Sequence, residues 1–250
     1  MPFDIERLTR RRGPVTVVDG LTFRARPGRV TGFLGPNGAG KSTTLRTALG
    51  LERPTAGSAL FGGVPYAGLR HPLRTVGALL EARSAHPGRS GRAHLRCIAR
   101  THRIPDSRVD DVLDLVGLTD AAGKRTGTYS LGMGQRLGIA AALLGDPAVL
   151  LLDEPVNGLD PEGIVWLRGL LRRRAADGRT VLVSSHLMGE AALTVDDVVV
   201  IGRGRLLAHG TVDEIVRTYA APGGTLEDAF IRLTATAAAA GASAGAGAGR

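Results

Sequence analysis

The stretch Gly35-Pro36-Asn37-Gly38-Ala39-Gly40-Lys41-Ser42-Thr43 matches G-x-x-x-x-G-K-[ST]. It follows a short apolar run, Val30–Leu34, and precedes a segment in which Leu45 and Leu49 recur at helical spacing. This places a phosphate-binding loop between a strand and a helix running from about Gly40 to Gly50. Glycines let successive backbone N–H groups turn inward toward phosphate oxygens, and the helix start adds partial positive charge. Lys41 is placed to reach β- and γ-phosphates, and the Ser42 hydroxyl is a hard oxygen donor suited to Mg2+.

A second stretch, Val149-Leu150-Leu151-Leu152-Asp153-Glu154-Pro155, is an apolar run ending in two carboxylates. A buried parallel strand reads this way, and ligands of such folds bind at its C-terminal edge. Asp153 is expected to hold Mg2+, directly or through water, and Glu154 to orient and polarise an attacking water. The two stretches together describe an α/β P-loop NTPase.

Outward from them, Val15–Val18, Leu21–Arg26, Ala59–Phe61 and Thr75–Leu80 read as strands. Residues 88–145 change to helical spacing, seen in Leu95, Ile98, Ala99 and His102, and more cleanly in Val109, Val112, Leu113 and Val116. Ser130 caps a helix over Leu131–Leu144. Asp160-Pro161 opens another that ends near Gly178. Thr180–Ser184 is a strand, and Val198–Ile201 with Leu206–Ala208 forms a hairpin. Thr211 and Glu214 form a capping-box pattern, and Leu226–Leu233 is a short helix. Residues 235–250 are almost all Ala, Gly, Ser and Thr, and are expected to form a disordered tail.

The 250 residues carry 32 basic and 23 acidic side chains, a net charge of +9. Lysine occurs only at 41 and 124; the other bases are arginine. Such charge favours acidic partners. Aromatics, at 4%, do not interleave with the basic clusters, so nucleic acid is not expected as a partner. The single cysteine, Cys97, excludes an internal disulfide and is expected to be a small buried hydrophobe. No apolar run is long enough to span a membrane, and the first residues lack a signal-peptide core. A cytoplasmic protein is expected.

Three further stretches narrow the class: Thr128-Tyr129-Ser130-Leu131-Gly132-Met133-Gly134-Gln135-Arg136, Asn157-Gly158-Leu159-Asp160-Pro161 and Ser184-Ser185-His186. With these, the chain from about Ile5 to Leu233 resembles the ATP-binding subunit of ABC transporters. Leu79-Leu80-Glu81, the Tyr-Ser-Leu-Gly-Met signature and the Leu226-Glu227-Asp228-Ala229-Phe230 ending resemble the bacterial drug, bacitracin and lantibiotic exporter branch. The resemblance implies a RecA-like core with an antiparallel β region and a helical subdomain at about 82–145, all within residues 1–234. It implies ATP and Mg2+, a head-to-tail homodimer, and a separate transmembrane permease at the inner face of the cell membrane. Ser130 and Gly132 would then face the γ-phosphate held by the other copy, and His186 would contact the γ-phosphate in its own. Glu81, where the family has glutamine, would ligate Mg2+. Arg12 falls where the family stacks an aromatic on adenine, and Gly134 where it has Lys or Gln. The surface from Arg83 to Arg92 is expected to dock the permease. Two rival readings are a non-transport ABC ATPase and a nucleotide-dependent self-immunity switch.

Overall fold

The computed structural model describes residues 1–81 and 84–245, with 238–245 as helical backbone only. The chain opens with strands β1 (Phe3–Arg12), β2 (Val15–Ala25) and β3 (Val30–Leu34), then helix α1 (Lys41–Ala48) and strand β4 (Ala56–Phe61). A short turn of helix, α2 (Pro72–Thr75), leads into β5 (Val76–Leu79). The helical insert follows as α3 (Gly91–Thr101), α4 (Ser107–Leu115) and α5 (Leu131–Leu143). The α/β pattern resumes with β6 (Val149–Leu152), α6 (Pro161–Ala176), β7 (Thr180–Ser185) and α7 (Met188–Ala192). It closes with β8 (Asp197–Gly202), β9 (Arg205–Thr211), α8 (Val212–Tyr219) and α9 (Leu226–Gly245).

Two sheets result. The larger has the order β5-β6-β7-β3-β8-β9, parallel except for β9; the smaller is antiparallel, β2-β1-β4. Strands β3, β6, β7 and β8 are buried at every position, as a sheet covered on both faces requires. Successive strand side chains point to opposite faces, so the large sheet divides two apolar cores. Leu150, Leu152, Val198 and Val200 face the helical side. Val149, Leu151, Val199 and Ile201 pack with α1 and the small sheet.

The insert is tied back to the sheet at two places. Trp166 of α6 donates Nε1–H to the Leu115 carbonyl at 3.2 Å, while Arg136 of α5 lies 4.5 Å over its ring and donates to Val116. Strand β5 also takes α5 directly against Gly77, where a Cβ would collide with the Ala142 carbonyl oxygen and lie 2.8 Å from Pro147.

Several expectations differ from the structure. No element was expected over Met1–Arg12, yet β1 is the central strand of the small sheet. Its apolar alternation, Phe3, Ile5, Leu8, loses phase at an irregularity where Arg7 has φ 46°, so a period-two reading misses it. A disordered tail was expected over Ala235–Arg250; α9 continues to Gly245, and residues 246–250 lie outside the described residues. Alanine is the strongest helix former and extends a helix already nucleated on packed Leu226 and Ala229. Cys97 is exposed rather than buried, because Leu95 and Ala99 define the inner face of α3.

Gly77→Val should unseat α5 from β5. Overpacking of this kind costs about 1–3 kcal/mol or more, read as a lower urea midpoint than wild type. Gly123→Ala, where nothing lies within 4 Å of the added atom, should leave the unfolding free energy within about 0.5 kcal/mol of wild type.

Candidate functional site

The loop from Gly35 to Gly40 is clamped between two strands. A Cβ on Gly35 would lie 2.7 Å from the Ile201 carbonyl oxygen, and one on Gly40 2.8 Å from that of Val17. Gly40 also has φ 104°, a conformation that only glycine adopts without strain. Pro36, Asn37 and Gly38 are exposed along the turn, Ala39 is buried beneath it, and Ser42 is exposed at the start of α1. Thr43 is buried, its carbonyl accepting from the Thr47 hydroxyl at 2.7 Å. No acidic residue stands in the first turn of α1, so its N–H groups are left to an anion.

Lys41 is buried and curls back over the loop. Its Nζ donates to the Gly35 carbonyl at 2.6 Å and lies 3.5 Å from Glu154 Oε1. The other Glu154 oxygen, Oε2, is 2.8 Å from His186 Nδ1. One carboxylate thus joins the phosphate loop to the segment after β7.

Glu154 sits in the left-handed region at φ 48°, a conformation costing a non-glycine residue about 1–3 kcal/mol unless its surroundings hold it. Three contacts do so. The Ser184 hydroxyl accepts from Glu154 N–H at 2.9 Å and donates to Asp153 Oδ1. The buried Gln135 amide donates to the Glu154 carbonyl at 3.3 Å, and Asn157 N–H to the same oxygen at 3.2 Å. Asp153 is anchored in turn by its N–H on the Leu79 carbonyl. Ser184 and Gln135 were not expected as site residues. Their signal was present: each lies inside a quoted motif, one at a strand end and one on a helix.

Ser130 caps α5, accepting from Met133 N–H at 3.1 Å, and Gly134 N–H donates to the Ser130 carbonyl. Beside it Gly132 makes a close backbone approach: a Cβ there would lie 2.8 Å from the Gly158 carbonyl oxygen. Asp160 caps α6 by accepting from Gly163 N–H at 2.8 Å. Among the described residues, nothing accounts for the glycine at 134.

The structure therefore gathers Lys41, Asp153, Glu154 and His186. Among the described residues, no hydrogen bond or ion pair joins Ser130, Glu81 or Arg12 to them. Glu81 is exposed, with Arg46 Nη1 at 3.3 Å. Arg12 is engaged by Glu52, whose carboxylate also takes Arg10 at 3.0 Å and lies 3.5 Å from Arg46 Nε. Burial pushes the Glu52 carboxyl up, but the Arg12 and Arg10 guanidiniums outweigh it and hold it below its ordinary value.

Fold and site together define a P-loop ATPase core of RecA-like architecture, carrying a helical subdomain and an antiparallel β region. Residues 18–157 match the family model described as ABC transporter. The chain belongs to the ABC transporter family. It is 41% identical to the uncharacterised ABC transporter ATP-binding protein YhcH of Bacillus subtilis, over 82% of this chain and 68% of that one. It is 40% identical to the bacitracin transport ATP-binding protein BcrA of Bacillus licheniformis, over 83% and 69% respectively. A solved structure of an ATP binding subunit of an ABC transporter superposes with a TM-score of 0.85 at 26% identity, covering 93% of this chain and 99% of that one.

Ser184→Ala should strip Glu154 N–H of its acceptor and Asp153 of its donor. A buried group left unpaired costs about 1–3 kcal/mol, and at about 2–4 °C per kcal/mol the melting temperature should fall by several degrees.

Proposed function

We propose that this chain binds and hydrolyses ATP, and that two copies acting head to tail drive a separate transmembrane permease. The observation that carries the reading is the continuous set Lys41–Glu154–His186 at the mouth of the phosphate loop. A buried lysine amine supplies charge to a triphosphate that backbone N–H groups cannot supply alone. Glu154, held at a fixed backbone conformation, presents its carboxylate to orient an attacking water, and His186 keeps that carboxylate in place. Gly35 and Gly40 let the loop seat against the Ile201 and Val17 carbonyls, where side chains would push it out of place. The Ser42 hydroxyl and the Asp153 carboxylate are the hard oxygen donors that would hold Mg2+, and bound Mg2+ would neutralise developing phosphate charge. In this reading Glu81 joins them as a third donor, and Arg12 stacks its guanidinium on the adenine once Glu52 releases it.

Head-to-tail pairing is supported by what one copy lacks. Ser130 and Leu131 are exposed and, among the described residues, make no hydrogen bond or ion pair with Lys41, Glu154 or His186 of their own chain. A helix N-terminus left open is suited to a phosphate brought by a second copy.

An open groove between the core and the helical insert supports permease docking. Glu81 lines it, together with Leu49, Leu51, Tyr66, Leu73, Leu80 and Ile98. Leu51 is 61% exposed there. Of the surface expected to dock, Arg83 lies outside the described residues, and Arg92 is taken by Asp110. Arg89 is exposed and makes no ion pair among the described residues; its charge adds to burial in holding the His94 imidazole below its ordinary value. In this reading the subunit lies on the inner face of the cell membrane. Similarity to a bacitracin transport protein favours export of a drug, antibiotic or peptide.

The direct test is Glu154→Gln. The amide keeps the shape but loses the charge, so the variant should bind ATP, hydrolyse it at least about a hundredfold more slowly, and elute as a dimer in size-exclusion chromatography with ATP. Adding Ser130→Arg should return it to monomer. A Glu154→Gln protein that stays monomeric at high concentration would count against the paired site.

For docking, Arg89→Glu should leave ATP binding by the isolated subunit within about twofold of wild type, because exposed charges of this kind act locally. It should reduce co-purification with the permease. Loss of ATP binding with permease association intact would move Arg89 from the docking face to the nucleotide site.

A further inference from the structure

Helix α6 grips the segment that follows His186. Arg168 Nη2 donates to Glu190 Oε2 at 3.0 Å, and one turn along the helix Arg172 Nη2 donates to the Leu193 carbonyl at 2.8 Å. Glu190 lies on α7, and Leu193 ends it. The same helix is fixed at its start by the Asp160 cap, at the end of the loop that leaves Glu154. A single rigid rod therefore holds both chain segments whose side chains meet in the 2.8 Å contact between His186 and Glu154.

Packing is not the whole of what holds α7, although Met188 and Ala191 are buried in the core and α9 lies against the helix. A small apolar cavity lies beneath it, lined by Val156, Leu167, Leu171 and Val183, with Arg168 and Glu190 also in its wall. Leu187 and Leu193, on either side of α7, are 43% and 54% exposed.

Nor does the ion pair repay its own placement in stability. Arg168 Nε is buried without a hydrogen-bond partner, which is unfavourable. The pair is part-exposed, at 26% and 38% for the two side chains, and such pairs add little. What it does fix is geometry, which a site needs within fractions of an ångström.

We infer that the Arg168–Glu190 pair, with Arg172 beside it, positions His186 by holding α7 on α6, so that the imidazole stays against the Glu154 carboxylate. The kinetic part of this inference rests on the role proposed above for His186; the structural part does not.

The test uses the full chain in a double-mutant cycle. Glu190→Gln should lower kcat about fivefold or more and leave KM within about twofold. In a His186→Ala background the same change should lower kcat by less than about twofold, because nothing remains to be positioned. Exchanging the charges, Arg168→Glu with Glu190→Arg, should restore most of the lost kcat. The melting temperature of Glu190→Gln should stay within about 3 °C of wild type, as for other part-exposed pairs. Independently of turnover, the imidazole 1H–15N resonances of His186, assigned by their loss in His186→Ala, should shift in Glu190→Gln. Unchanged His186 resonances, or equal losses of kcat in both backgrounds, overturn the inference. Shifted resonances together with a His186→Ala protein of wild-type kcat would uphold the positioning and remove His186 from hydrolysis instead.

Discussion

All five parallel strands of the large sheet run the same way, so their C-terminal ends share one edge. Strand β3 ends at the phosphate loop, β5 just before Glu81, β6 at Asp153 and β7 just before His186. Residues remote in the chain are brought together because each follows a strand whose apolar run leaves it no other register. Lys41 meets Glu154 across the width of β7, which lies between β3 and β6. Without a covered parallel sheet, these side chains would be scattered over separate turns.

The sequence made much of this legible. Buried parallel strands announce themselves as unbroken apolar runs, and Val149–Leu152 has the same bounds in the sequence and in the structure. Caps were equally plain: Ser130, Asp160 and Thr211 each accept the expected backbone N–H. Elements without period were not. Strand β1 breaks phase at Arg7, and α7 is too short to show a face. Contacts set by tertiary distance were hidden as well. Nothing local in the sequence says that Ser184 will bridge Asp153 and the Glu154 N–H, or that Arg12 will meet Glu52. Both depend on which strands lie side by side.

The arginine-rich composition also has a structural expression. With fewer acids than bases, single carboxylates serve several guanidiniums. Asp197 takes Arg26 and Arg29, Asp146 takes Arg174 and Arg179, and Glu52 takes Arg10, Arg12 and Arg46. The planar fork of arginine suits this sharing, since it can offer different edges to one acid. Asp197 is almost fully buried, and its charge is met by two guanidiniums that themselves reach solvent. The basic surplus is thus partly built into the scaffold.

The contact between Gly132 and Gly158 carries a mechanical consequence. The start of α5 comes close enough to the loop leaving Glu154 that a Cβ on Gly132 would press on the Gly158 carbonyl oxygen, while the Leu131 side chain fills the space beside Gly158. The missing Cβ at 132 thus sets how closely the insert can seat on the loop that leads from the Glu154 backbone, and any larger residue there would hold the two apart.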